Sequence, residues 1–236
     1  MKVLVVGGSG IVGALITPYL AEVHTLRIFD LNPAQQDIFD YFQGDVTRYD
    51  DLTAAASGMD ALIYLAMGNL HWKELSGVIT AFDVNIKGVH LALLAAHEAG
   101  ITQSVYASTM SVYADNLMQR YFADEDLTPD SSHFYGFTKY LGEQVCLNAT
   151  RLWGMNVNSL RLCHPRSEEK WMSETILGVP TIATTAEDVA RAFLAALDFR
   201  GGYQAFTISG DYENKIMNMS KARRLLGWEP LARPKN

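Results

Sequence analysis

One short stretch near the start constrains this chain more than any other. An apolar run over residues 3–6 leads straight into Gly7-Gly8-Ser9-Gly10-Ile11-Val12-Gly13. A strand that must turn at once into a helix needs glycines there, because backbone has to pass close to backbone with no Cβ between. The first turn of such a helix also carries N–H groups without partners inside the helix, which attract phosphate. The G-x-x-G-x-x-G spacing, with Gly7, Gly10 and Gly13 and the amides of Ile11 and Val12, therefore predicts a strand–turn–helix unit that cradles a dinucleotide; a glycine turn that serves packing alone is the competing reading.

The rest of the chain fits such a unit. Apolar runs over residues 24–29, 38–42, 61–66, 104–107 and 157–162 alternate with helical stretches, the clearest over 76–99 and 134–153. Several runs are apolar throughout, which marks strands covered on both faces in a parallel sheet. Pro18 inside the first helix predicts a kink. After residue 165 a helix over 187–198, a strand over 203–208 and a helix over 220–226 are expected. The predicted fold is a Rossmann-like, doubly wound α/β sheet over residues 1–165. A small substrate-side extension, 166–236, packs on it as part of one structural unit.

Asp30 lies 20 residues after Gly10, at the end of the second strand. A carboxylate there accepts hydrogen bonds from both ribose hydroxyls of an adenosine and repels a 2′-phosphate, so NAD is expected over NADP. A turn-forming Asp before Asn32-Pro33 is the alternative. Asp45 and Val46 follow the third strand; Asp45 can reach an adenine amino group or cap a following turn. Ala66 and Gly68, ending the fourth strand, are small enough for backbone to run beside a cofactor.

Tyr135 and Lys139 are spaced i,i+4, on one helix face. A phenol is a poor acid–base group at neutral pH unless a nearby ammonium lowers its pKa. Thr109, at the end of the fifth strand, can hold the oxygen of a reacting group opposite that phenol. Thr109, Tyr135 and Lys139 are the expected catalytic set.

Composition narrows the partners. Lys and Arg number 19 against 26 Asp and Glu, a net charge of -7 with no basic cluster, which speaks against nucleic acid and anionic membrane. No apolar run reaches the roughly 18 residues that span a bilayer. Cys146 and Cys163 show no metal-ligand spacing, so no metal site is expected and a reducing, cytoplasmic setting fits. The helix over 76–99 is apolar on most sides, which predicts a second copy of the chain on its outer face, a homodimer.

The sequence resembles the extended short-chain dehydrogenase/reductases, the NAD-dependent epimerase/dehydratase group, along almost its whole length. The resemblance rests on the glycine turn, Gly44-Asp45-Val46, Val105-Tyr106-Ala107-Ser108-Thr109-Met110-Ser111-Val112-Tyr113, Tyr135 with Lys139, Glu187-Asp188-Val189-Ala190, and the ending Arg224-Leu225-Leu226-Gly227-Trp228-Glu229-Pro230. It implies Ser/Thr–Tyr–Lys oxidoreductase or epimerase chemistry on a sugar, sugar acid or nucleotide-sugar. It also implies cofactor roles for Tyr135, Lys139, Asn85 and His164, the last in a stretch that borders the nicotinamide. The short stretch after Pro165 is closest to compact members similar to uronate dehydrogenase. A non-catalytic NAD-binding regulator is the alternative. Candidate substrate contacts are Asn69 and His71 in the loop after the fourth strand, where Trp72 can stack on a ring, with Ser111 and Arg166. A solvated loop and an exposed charged turn are the plainer readings of these positions.

Overall fold

The computed structural model describes residues 1–33, 40–69, 71–122 and 124–234. Among them, β1 (Lys2–Val6), β2 (Thr25–Asp30), β3 (Asp40–Gln43), β4 (Ala61–Tyr64), β5 (Gln103–Thr109), β6 (Asn156–Leu162) and β9 (Tyr203–Ile208) form one sheet. Its order is β3-β2-β1-β4-β5-β6-β9 and every pairing is parallel. The third strand was expected over 38–42; its residues 38 and 39 lie outside the described residues, and β3 runs on to Gln43.

Alternation along the strands builds two cores. Val3, Val5 and Ile28 face α1 (Ile11–Ala21) and α7 (Ala186–Asp198), meeting Ile16, Leu20, Val189 and Phe193. Leu4, Val6 and Phe29 face the opposite layer, where α2 (Tyr49–Ala56), α4 (Val89–Glu98) and α5 (Phe134–Trp153) supply Leu52, Val89, Leu93 and Cys146. With both faces covered, β1 and β4 have no solvent side, hence their unbroken apolar runs. The chain order reverses between β1 and β4, and the carboxyl ends of strands at such a switch point are where this topology leaves a crevice.

Helix α1 carries Pro18 inside it without ending there. The helix expected over 76–99 is present as one run, Leu75–Glu98, built of α3 (Leu75–Phe82) and α4 joined by a π-helical turn over Asp83–Gly88 that the sequence pattern does not announce. The Tyr64 hydroxyl donates to the Val84 carbonyl at 2.7 Å and so satisfies a group inside the widened turn, a device common beside functional sites. This combined run, Leu75–Glu98, is also long and apolar enough by length and composition to cross a membrane, against the expectation that no run reaches that size. Here Val89, Leu93 and Ala96 are buried against the sheet.

The residues after Pro165 are woven into the same core. β7 (Pro165–Arg166) pairs with β8 (Thr184–Thr185), with α6 (Glu168–Glu174) between them. The tail beyond α8 (Ser220–Leu226) is tied to α7. The buried Asp188 carboxylate accepts the backbone N–H groups of Leu231 and Ala232, and Trp228 donates its indole N–H to the Asp188 carbonyl at 2.9 Å.

Candidate active site

A cavity of about 630 Å³ runs along the carboxyl ends of the strands. At one end lies the glycine turn. Gly7 has φ +82°, and a Cβ on it would collide with the backbone of Ala66 where β1 and β4 part. Gly10 is the N-cap of α1, and no side chain caps the helix, so the first amides, at Ile11 and Val12, border open cavity. Gly13 does not line the cavity; a Cβ there would strike the backbone of Gly8, so its smallness seats α1 on the turn.

The Asp30 carboxylate lines the same end. It accepts the amides of Ser9 (3.0 Å) and Asn32 (3.1 Å), which fix its orientation. Asp45 and Val46 also line it. Asp45 uses Oδ1 to accept both the N–H and the hydroxyl of Thr47 at 2.8 Å, so the turn contact anticipated from sequence exists, although the N-cap of α2 is Arg48.

At the other end β5 delivers Thr109 and α5 delivers Tyr135 and Lys139, all three onto the cavity wall. Thr109 Oγ1 accepts the Ser111 amide at 3.1 Å, and the Thr109 hydroxyl lies near enough to the Tyr135 phenol to act on it. Lys139 is buried, with Nζ 4.3 Å from the centroid of the Tyr106 ring. Burial pushes the ammonium down to about 8, against the carboxylate of Glu143 and the Cys146 thiol, which raise it. The phenol moves opposite to the sequence expectation. Burial raises the Tyr135 pKa and the Thr109 contact opposes this, so the resting phenol is neutral.

Other expected residues hold the site rather than line it. Asn85, buried on the π-turn, accepts the Gly68 amide at 3.0 Å and donates to Thr138 Oγ1 at 3.0 Å. It thereby ties the end of β4 to the helix of Tyr135. Asn69 accepts the His71 amide at 2.8 Å, closing its own loop, and neither residue lines the cavity. Ala66, Ser111, His164 and Arg166 do. His164 has φ +38°, and its imidazole is held below the ordinary value by burial and by the Arg166 charge.

Two features escaped the sequence reading. The Trp72 indole stacks on the Tyr135 ring, centroids 5.6 Å apart and planes 9° from parallel, and meets the His133 ring edge-on at 5.2 Å. Below Lys139, the buried pair Glu143–Arg161 (2.7 Å) also receives the Ser108 hydroxyl at 2.5 Å, locking the strand next to Thr109 onto α5. The i,i+4 step from Lys139 to Glu143 was the available signal.

Cavity shape and chemistry agree with a dinucleotide lying from Asp30, past the free amides of α1, to Tyr135. Residues 3–178 match the model of the NAD dependent epimerase/dehydratase family. The chain is 32% identical over 177 residues to a 3 beta-hydroxysteroid dehydrogenase/Delta 5→4-isomerase of Mycobacterium tuberculosis, an alignment covering 68% of this chain and 46% of the relative. It thus spans about half the length of such curated relatives. Its fold is that of a short-chain dehydrogenase/reductase superfamily protein from Agrobacterium tumefaciens solved with bound NAD (TM-score 0.81, 20% identity, 99% of this chain and 93% of that one). It is also that of a mutated uronate dehydrogenase (TM-score 0.79, 18% identity, 98% and 82%). With three quarters of its length matched by the family model, the chain belongs to the NAD dependent epimerase/dehydratase family.

Proposed function

We propose that this chain binds NAD and interconverts a secondary alcohol and its ketone. The observation that carries this is one cavity lined by Asp30 and the first residues of α1 at one end and by Thr109, Tyr135 and Lys139 at the other. Asp30 would accept the adenosine ribose hydroxyls, and the first amides of α1 would face the pyrophosphate. When bound, NAD supplies the hydride acceptor. Thr109 and Tyr135 grip the substrate oxygen from two sides, and Tyr135 takes its proton as the carbon is oxidised and returns it in reduction. Lys139 holds the nicotinamide ribose, and its charge favours the phenolate. Reduction is served by the resting state directly, because the buried phenol already carries its proton.

The expected substrate body is sugar-like, which likeness to a uronate dehydrogenase supports; the steroid-oxidising relative supports an apolar ring instead. Return of the hydride to the opposite face of the same carbon gives net epimerisation. A non-catalytic regulator has no use for Thr109, Tyr135 and Lys139 gathered on one cavity wall. Incubation with NAD and candidate alcohols decides among these: free NADH in proportion to product means a dehydrogenase, and inverted substrate with NAD retained means an epimerase. NAD bound without either product would leave the regulator and sink the catalytic reading.

The homodimer is part of the same proposal. Helix α3 exposes Leu75 (75%), Ile79 (51%) and Phe82 (41%) at i, i+4 and i+7, and Phe82 touches Phe134 of α5. A second copy is the occupant that this apolar stripe fits best. Sedimentation at micromolar concentration should give twice the chain mass, and Phe82→Asp the chain mass; a monomeric wild type refutes it. The two buried, unpaired thiols fit a reducing compartment such as the cytoplasm.

A further inference from the structure

Past Tyr135 and Thr109, the main cavity is walled by Met67, Met110, Leu117 and Pro165. His164 and Arg166 also border a second, open hollow of about 280 Å³, lined besides by Met118, Pro180, Thr181, Ile182 and Ala183. The turn leading into Pro180 leaves Ile176 and Leu177 exposed at 66% and 57%. Aliphatic and thioether side chains thus line both the crevice beyond the reacting oxygen and the hollow that shares His164 and Arg166 with it.

The polar groups at this end are mostly committed. The Arg166 guanidinium donates to Glu174 at 3.0 Å and to the Pro165 carbonyl at 3.2 Å. Thr181 Oγ1 accepts the Ala183 amide at 3.2 Å. Asn69 and His71, which would have served a sugar, lie off both cavities. Ser111, a neutral His164 and the Arg166 N–H groups not spent on Glu174 and Pro165 remain. A sugar carries a hydroxyl on nearly every carbon, and each one stripped of water without a partner weakens binding about ten-fold. Apolar ring carbons meet no such loss here and gain from burial against methionines that adapt to their shape.

We infer that the alcohol handled by Tyr135 stands on an apolar alicyclic or fused-ring body with one reacting hydroxyl, not on a polyhydroxylated sugar. This rests on the alcohol–ketone reading of the site. It goes beyond that reading by assigning the second cavity to the body of the substrate, with Met118 as its outer wall.

The test measures NAD binding by calorimetry first. NADH formation is then followed with cyclopentanol, cyclohexanol, decahydro-2-naphthol, a free hexose, a hexuronate and UDP-glucose. kcat/KM should rise about four-fold per added ring carbon across the alicyclic alcohols. Met118→Asp should cut the value for decahydro-2-naphthol about ten-fold and that for cyclopentanol by less, so that the ratio between the two falls. If NAD binds but a hexose, hexuronate or UDP-glucose outruns every alicyclic alcohol, the inference is overturned and the reaction survives. If NAD binds, nothing turns over and decahydro-2-naphthol fails to bind the NAD-loaded protein at millimolar concentration, it is overturned as well. If NAD does not bind, the reading of the site itself fails.

Discussion

At the scale of single residues, Lys139 shows how function opposes stability. A free lysine titrates near 10.5, and burial brings this one to about 8. Below pH 8 the folded chain holds a buried charge at a cost of roughly 3 kcal/mol. Between those two values the folded protein gives up its proton before the unfolded chain does. Stability therefore rises with pH across that window and the cost fades. Lys139→Met should abolish turnover yet raise stability at pH 7 by about 2–3 kcal/mol, with the difference closing towards pH 10 in chemical unfolding curves. Asp30 acts through affinity: Asp30→Ala should weaken NAD about ten- to hundred-fold and remove the preference over NADP, read by calorimetry. Gly7, Asp30, Thr109 and the Tyr135–Lys139 pair were legible because each answers to a local demand, a tight turn, a strand end or one helix face. The stacking of Trp72 on Tyr135 was not, since nothing local to residues 69–74 announces a partner on α5. The raised phenol pKa was missed for a related reason: helix spacing reports the neighbouring lysine but not the burial that raises it.

At the scale of elements, α5 is held by charge as well as by apolar packing. Arg161 on β6 donates through Nε and a terminal nitrogen to both Glu143 oxygens (2.9 and 2.7 Å), and on to the Tyr113 hydroxyl and the Glu125 carbonyl. Glu143→Leu leaves that guanidinium buried without its counter-charge and should cost about 3–5 kcal/mol. Loss of the exposed Arg166–Glu174 pair through Glu174→Ala should cost under about 1 kcal/mol. Urea unfolding of the two variants side by side checks the ordering. The extents of α5, β9 and α8 could be read from the sequence, because Gly154, Gly202 and Gly227, all at positive φ, punctuate them. The π-helical turn between α3 and α4 could not, for its partners lie elsewhere: the Tyr64 hydroxyl comes from β4, and the contacts of Asn85 reach Gly68 and Thr138. The two-residue strands β7 and β8 are too short to carry any periodicity.

At the scale of the whole molecule, the sheet order explains why distant residues share one cavity. Parallel strands put every carboxyl end on the same edge, so Gly7, Asp30, Ala66, Thr109 and His164 meet there although they span most of the chain. That much follows from the alternation of strands and helices. The lining beyond Tyr135 does not, since Met118 and Ile182 come from loops whose positions only the folded core sets. The account stands most directly on one comparison, wild type against Tyr135→Phe, in a single turnover with NAD and an accepted alcohol. The phenylalanine keeps the ring that stacks on Trp72 and removes only the hydroxyl. NADH formation should fall by about 10²–10⁴-fold while the calorimetric affinity for NAD stays within about two-fold. A variant that still forms NADH at the wild-type rate, or one that loses NAD affinity together with turnover, would contradict it.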